Sequence, residues 1–304
     1  MRSKVANVGS GISGLVAAHA LQGHADVTLL EAGDHFGDHA HTVDVTFPTL
    51  KGSVTAGIDA GFLVLNTRTY PLLTAMLIEY GGANHYVEMI TSRTSYKCLH
   101  SPGCTVEYEP AAASATSRVL NVTSVEVFDK FISETHSDQA PNMLVAPALH
   151  ERGKRGSLRH QSNSSVLHTD ATAMAQRRAA WAAWNHPRAT RPDLEGTQFC
   201  RHYLLNRLQP LSWEQPVILS LNPLSPIYPE ATIGQHDYSH PVFDLDAITA
   251  QGKLAAIQGK FNRHYAGAWM GYGFHEDGLK ADLFAAAQLL DDLRHPCEAK
   301  VAVL

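Results

Sequence analysis

The sequence predicts an α/β fold, and three features of its 304 residues carry that expectation. They are a short apolar strand ending in glycine, a glycine-punctuated turn into an Ala/Leu-rich helix, and a second apolar strand closed by a carboxylate. All three lie in KVANVGSGISGLVAAHALQGHADVTLLEAG, residues 4–33. Val5 to Val8 reads as a buried parallel strand, Leu15 to Gln22 as a helix and Val27 to Leu30 as the second strand. Together they make a Rossmann-like βαβ unit with a G-x-G-x-x-G turn. Gly9 permits the tight turn, Gly11 lets the backbone approach a pyrophosphate, and Gly14 allows close helix–strand packing. Free N–H groups and the helix dipole favour an anion at the start of that helix. Glu31, 17 residues after Gly14, stands where a carboxylate accepts hydrogen bonds from ribose hydroxyls. Asn7 interrupts the first strand and needs a polar partner there. The rival reading of a glycine-rich strand-to-helix turn is a nucleophile elbow. That requires G-x-S-x-G, and Ser13 in GISGL lacks the final glycine.

Composition narrows the function classes. Apolar residues make up 44% and charged residues 17%, as in an ordinary globular protein with one large core or two moderate domains. A net charge of −5 offers no footprint for nucleic acid, and the short basic run Arg152, Lys154, Arg155, Arg159 reads as a solvated loop. The four cysteines, Cys98, Cys104, Cys200 and Cys297, show no C-x-x-C spacing, so a zinc ribbon or redox dithiol is not expected. No signal-type segment or long apolar run appears, so the expectation is a cytoplasmic protein without stable membrane insertion. The sequons at Asn121 and Asn163 then carry no meaning. The partner expected is a small-molecule substrate; the oligomeric state stays open.

The next forty residues hold AGDHFGDHAHTVDV and GIDAGFLVLNTRTYPLLTAMLIEYGG. With Glu31, Gly37, His39, His41 to Val43, Asp59, Gly61, Phe62, Asn66, Tyr70 and Pro71, they resemble the FAD-dependent amine-oxidase-like superfamily, which includes monoamine oxidases and carotenoid desaturases. Within it the chain is most similar to a bacterial-type branch of predicted NAD/FAD-binding proteins. YAGAWMGYGFHEDGLKADLFAAAQLL, residues 265–290, resembles the segment that closes the flavin site. Blocks at 165–185, 203–211 and 236–244 are similar to the same branch. The resemblance implies FAD as cofactor, bound through Gly9, Gly11, Ile12, Ser13, Gly14, Glu31, Ala32, His39, His41, Thr42, Gly61, Phe62, Gly267, Asp277, Gly278 and Leu279. Leu279, Leu283, Ala286, Ala287 and Leu290 place a helix after the last glycines, its N-terminus toward the cofactor.

The resemblance also implies the domain plan. Residues 1–95, 116–142 and 255–298 would build a discontinuous FAD-binding domain, and 143–254 an abbreviated α+β substrate domain. Relatives are considerably longer, and the missing material falls near 109–118, where they carry a substrate lid. Three further departures stand out: Gly37-Asp38 replaces a Gly-Gly, Lys280-Ala281 replaces a small pair, and Ser133-Glu134 replaces a small apolar residue. Asp38 would set a carboxylate beside the diphosphate, and Glu134 a charge near the adenine.

For chemistry, W-x-G-Y at Trp269 to Tyr272 has the spacing with which monoamine oxidases present an aromatic wall, making Tyr272 the substrate-facing candidate. His275 is the proton-transfer candidate in the His275-Glu276-Asp277 trio; a capping carboxylate at Asp277 is the more ordinary reading. His35, His39 and His41 lack a completing carboxylate, so no metal is expected. Trp181 and Trp184, with Arg177 and Arg178, read as one face of an amphipathic helix. Tyr203 to Leu208 and Val217 to Leu221 read as strands of the substrate domain. The expected function is FAD-dependent oxidation of a C–N or C–C bond of a small or lipophilic substrate by hydride transfer to flavin. The alternatives are a non-catalytic or vestigial FAD-binding protein and an NAD(P)-dependent dehydrogenase.

Overall fold

The computed structural model describes residues 2–33, 35–50, 52–80, 84–85, 91–92, 128–140, 158–187 and 199–295. In chain order the elements are β1 Lys4–Val8, α1 Ile12–Ala20, β2 Asp26–Leu30, β3 Thr42–Thr49, β4 Gly52–Asp59, α2 Pro71–Glu79, β5 Asn84–His85, β6 Thr91–Ser92, β7 Lys130–Ser133, β8 His160–His168, β9 Trp184–Asn185, β10 Arg201–Leu204, β11 Ile218–Leu221, β12 Thr232–Pro241, α3 Leu245–Gln251, β13 Arg263–Tyr265 and α4 His275–Arg294. Short 3₁₀ turns join several of them. Among the described residues no helix is long and apolar enough to cross a membrane.

The chain divides into two compact units. The described residues of Met1–Asp38, Tyr96–His160 and Pro241–Leu304 form the first. Its sheet is wholly parallel, in the order β13-β7-β1-β2. Burial on both faces explains why β1 reads as a nearly unbroken apolar run. Val5, Ala17, Leu21, Ala25 and Ile132 close a core with Ala286 and Leu289 of α4, so the last helix covers the strands of the first. Asn7, fully buried, donates from its side-chain amide to the Gly14 carbonyl at 2.8 Å. The polar interruption in β1 is thus a tie to α1.

The second unit comprises the described residues of His39–Ser95 and Gln161–His240. It holds the β3–β4 hairpin and a five-stranded sheet ordered β12-β8-β11-β10-β9. Val45, Phe47 and Ile58 of the hairpin share one core with Leu167, Leu205, Leu208, Trp213, Val217 and Leu219. By contact, therefore, 39–95 groups with 161–240, whereas the sequence reading puts 1–95 in one domain and divides the chain at 143 and 254. The alternating Val43-x-Val45-x-Phe47 and Val54-x-Ala56-x-Ile58 pattern gives the hairpin one buried face, and that face needs the second sheet. Residues 245–251 likewise leave the expected substrate domain, because Ala247 and Ala250 pack with Leu254, Ile257, Tyr265 and Trp269.

Several local expectations are corrected. Trp181 and Trp184 do not share a helix: a 3₁₀ turn covers only Arg178–Ala180, Trp181 is extended, and Trp184 opens β9. The Trp181 indole donates to the Ala175 carbonyl at 2.6 Å and Trp184 pairs with Tyr203, so sheet contacts override the helical spacing. Leu205–Arg207 is a 3₁₀ turn, not strand. On α4 the buried row runs through Leu279, Asp282, Ala286 and Leu289, while Leu283 is exposed. The expected stripe was displaced because it passed over the acidic residue that is in fact buried. The supposed shortening near 109–118 lies outside the described residues.

A polar island sits inside the second unit. Ser220, fully buried, bridges His168 Nε2 at 2.6 Å and His202 Nδ1 at 2.5 Å, while His168 Nδ1 accepts from the Asp170 N–H at 3.1 Å. That last bond requires an unprotonated Nδ1, which makes Nε2 the donor to Ser220. Burial, then the neighbouring His202, pushes the His168 pKa down to about 4, against a smaller upward pull from Asp170. Burial lowers His202 too. The folded state then holds fewer protons than the unfolded chain between the ordinary 6.5 and about 4. Stability from this island is present above pH 6.5 and is lost as pH falls through about 4. Ser220→Ala should cost about 1–3 kcal/mol at neutral pH, because it orphans two buried ring nitrogens. Urea unfolding checks this; a change within error would mean the bridge carries no stability.

Candidate nucleotide site

The three glycines of the first turn do different work. Gly9 has φ +108°, and a Cβ there would lie 3.0 Å from the Glu134 carbonyl. At Gly14 a Cβ would fall 1.8 Å from the Gly9 carbonyl oxygen, an impossible overlap. Both positions demand glycine for the fold alone. Gly11 does not. It caps α1 with φ −57°, and the nearest atom to an added Cβ would be the Asp38 Cβ at 3.6 Å, an ordinary contact. Nothing within the described chain requires its side chain to be missing; the Asp38 side chain is the neighbour it would meet. The glycine stands at the N–H groups of the first turn of α1, which holds no acidic side chain.

Glu31 ends β2 as expected and accepts from the Ser10 N–H at 2.8 Å, from the Ser10 hydroxyl, and from the Gly33 N–H at 2.8 Å. These bonds orient the carboxylate and still leave lone pairs for ribose hydroxyls. Ala32 follows it. Gly37 donates to the Ser10 carbonyl at 2.9 Å and forms a bridge with Gly11, which brings Asp38, at φ +48°, against Gly11. The Gly37-Asp38 departure therefore places a carboxylate at the mouth of the turn.

Beneath the turn lie two more acids. The carboxyl oxygens of Glu134 and Asp282 are shut off from solvent. Glu134 Oε2 lies 3.1 Å from where a Gly14 Cβ would be. Burial raises the Glu134 pKa well above the carboxylate range, and the neighbouring Asp282 raises it further. Burial also raises Asp282, with the Ser13 hydroxyl drawing it partly back. Like charges this close cannot both ionise cheaply, so the pair holds protons where ordinary carboxylates have lost them.

Ser13 and Gly278 belong to the contact between α1 and α4. A Cβ on Gly278 would lie 2.6 Å from Ser13 Oγ and 3.7 Å from Ile12 Cγ2, so glycine lets α4 approach α1. Ile12 and Leu279 are buried. Gly267, φ +134°, turns the chain beside the Trp269 indole, which donates to the Thr135 carbonyl at 3.1 Å. Asp277 accepts from the Tyr272 N–H at 3.0 Å and the Phe274 N–H at 3.1 Å, so its carboxylate caps α4. Tyr272 is 77% exposed; His275 opens α4, half-buried.

The remaining candidates occupy the second unit. A Cβ on Gly61 would lie 2.0 Å from the His39 carbonyl oxygen, to which the Phe62 N–H also donates. Thr42 donates to Asp59 Oδ1 at 2.8 Å, and Gln209 donates to Asp59 Oδ2 at 2.8 Å. The His39 ring lies tilted to Tyr238 at 5.0 Å and edge-on to His240 at 5.1 Å, and His41 reaches the Tyr238 hydroxyl at 3.1 Å. The acid pair escaped the sequence reading in part: Glu134 stood out as a departure, but Asp282 had no signal beyond an acid inside a helical apolar stripe.

Residues 8–80 match the family model of the NAD(P)-binding Rossmann-like domain. No curated protein matches the sequence. Many solved structures share the fold, three of them as follows. The CLA-producing fatty acid isomerase from P. acnes is 14% identical, with a TM-score of 0.59 over 94% of this chain and 98% of its own. Cyclohexylamine oxidase from Brevibacterium oxydans IH-35A is 12% identical, with a TM-score of 0.56 over 97% and 100%. Putrescine oxidase bound to putrescine is 12% identical, with a TM-score of 0.51 over 96% and 99%. The likeness to these structures is one of fold.

Because both acids are held protonated in the fold, their contribution to stability is present below the ordinary carboxylate range and is lost as pH climbs through their raised values. The Glu134→Gln/Asp282→Asn double variant should be more stable than the parent at pH 8 and show a flatter dependence between pH 5 and 8. Urea midpoints at the two pH values decide it, and equal slopes in parent and variant would count against the protonated pair.

Proposed function

We propose that the chain binds FAD at the β1–α1 turn and is an oxidoreductase of amine-oxidase type, oxidising a C–N or C–C bond of a small or lipophilic substrate. Gly11 carries this reading. It is the one glycine of the motif that the fold itself does not require, and its missing side chain matters only to something placed over the helix N-terminus. A diphosphate suits that place. Its charge meets the first-turn N–H groups, and the ribose hydroxyls have the Glu31 carboxylate to donate to. When bound, the flavin supplies an acceptor for a substrate hydride.

The protein's own part is to bind, orient and exclude. Gly9 and Gly14 hold the turn rigid, Ser10 and Gly33 aim Glu31, and Gly278 lets α4 cover α1. Gly267 is the further proposed cofactor contact of this unit; His39, His41, Thr42, Gly61 and Phe62, which the resemblance also implies, belong to the second unit. Tyr272, with its ring exposed, is proposed to face the substrate, and His275 to move a proton. The substrate class draws support from two neighbours named for amines and one for a fatty acid.

Asp38 favours a second reading, a protein that binds the nucleotide without turnover, since its carboxylate stands against Gly11. The family model, described as NAD(P)-binding, keeps a nicotinamide dehydrogenase as the third. The visible spectrum of the purified protein, with identification of the cofactor released on denaturation, separates them. Stoichiometric FAD with bleaching by amine or lipid substrates supports oxidation; FAD without bleaching supports the second reading; NAD(P) alone overturns flavin binding. Gly11→Ala should leave the melting temperature unchanged and weaken FAD roughly tenfold or more. In the parent, FAD affinity should fall as pH rises through the raised range of Glu134 and Asp282, because their ionisation sets charge beneath the diphosphate.

A further inference from the structure

Outside that turn, the first unit assembles a cluster that plays no part in the proposed chemistry. His136 and Asp138 lie in the loop after β7, and His160 opens β8, 22 residues after Asp138. One potential ligand atom from each of the three lies within 4.8 Å of the others. His160 Nδ1 and Asp138 Oδ1 are 3.5 Å apart. Two ligands on one tetrahedral zinc are separated by about 3.4 Å, given bonds near 2.0–2.2 Å. The His160 side chain is 97% buried by its 3% exposure, while Asp138 is half exposed, so the cluster is both built in and open to entry.

The scaffold around it is firm. Ser137, completely buried between the two loop residues, donates its hydroxyl to the Leu158 carbonyl at 2.7 Å. The Trp269 indole holds the Thr135 carbonyl, and the Val242 N–H donates to the Arg159 carbonyl at 2.8 Å. The residues flanking every member of the trio are therefore fixed through groups other than the three side chains. Ligand positions held by their neighbours reduce the ordering cost of capturing an ion.

We propose that His136, Asp138 and His160 form a divalent-cation site, with zinc the fitting ion, that clamps the loop after β7 to the start of β8. Two imidazoles and a carboxylate suit zinc over magnesium or calcium, and three protein ligands leave a fourth position for water. The His136 and His160 rings lie stacked, centroids 4.4 Å apart and planes 13° off parallel. Imidazole lone pairs lie in the ring plane, so zinc capture tilts one ring toward the other.

The test is zinc uptake by the purified full chain after exhaustive chelation, with zinc chloride alone as the probe and bound metal counted by mass spectrometry. The expected result is about one zinc per chain. Because the sequence holds 18 histidines, a His236→Gln control must keep that zinc. His136→Gln and Asp138→Asn should each weaken it by about 100-fold or more, beyond the range for second-sphere changes. Asp138→Asn is the decisive variant, since its half-exposed side chain can be exchanged without disturbing the core. No zinc retained by the parent, or zinc retained equally by Asp138→Asn, overturns the site.

Discussion

The approach of the Gly14 backbone to the Gly9 carbonyl is the constraint on which the first unit depends. With no side chain at Gly14, α1 can lie against the end of β1, and Asn7 can reach the Gly14 carbonyl from inside the strand. That contact sets the direction of α1, and hence where its N-terminal N–H groups point. It also sets the face that Ala17 and Leu21 offer to α4. The parallel sheet then supplies the rest, because β2 and β7 flank β1 and bring Glu31 and Glu134 to the same end of the strands. Ligands of open parallel sheets bind at that end.

Charge complicates this frame. A helix N-terminus attracts an anion with modest energy, and a nearby ionised carboxylate opposes it by a comparable amount. Glu31 is useful there because hydroxyls can donate to it. Asp38 adds a carboxylate beside Gly11, and Glu134 with Asp282 would be prohibitive if both were charged. Burial resolves the conflict by holding protons on the pair. Under the proposed function, the strength with which the turn would hold a diphosphate depends on the protonation of the acids beneath it.

Much of this was legible locally. β1, α1 and β2 fall within a few residues of their expected bounds, since glycine spacing and apolar runs act over one turn or one strand. Glu31 was legible for the same reason. Trp181 and Trp184 misled because spacing by three residues suits a helix face only when the backbone is helical; here β10 pairing and the indole–carbonyl bond set an extended path. The β3–β4 hairpin went unread although its residues alternate with period two; the resemblance placed them in the nucleotide domain, while their buried face belongs with β8 and β11.

By itself the sequence determined the βαβ unit, the need for glycine at Gly9 and Gly14 and the carboxylate that follows the second strand, because each rests on backbone geometry within about thirty residues. Only the tertiary structure decided which polar groups are buried and with whom. Ser13 meets Asp282, Ser220 joins two histidines, and His136 meets His160 across intervals of tens to hundreds of residues. Such meetings depend on sheet order and helix packing, which side-chain identity along the chain does not encode locally. The motif states where an anion can sit; the fold decides which charges it finds there.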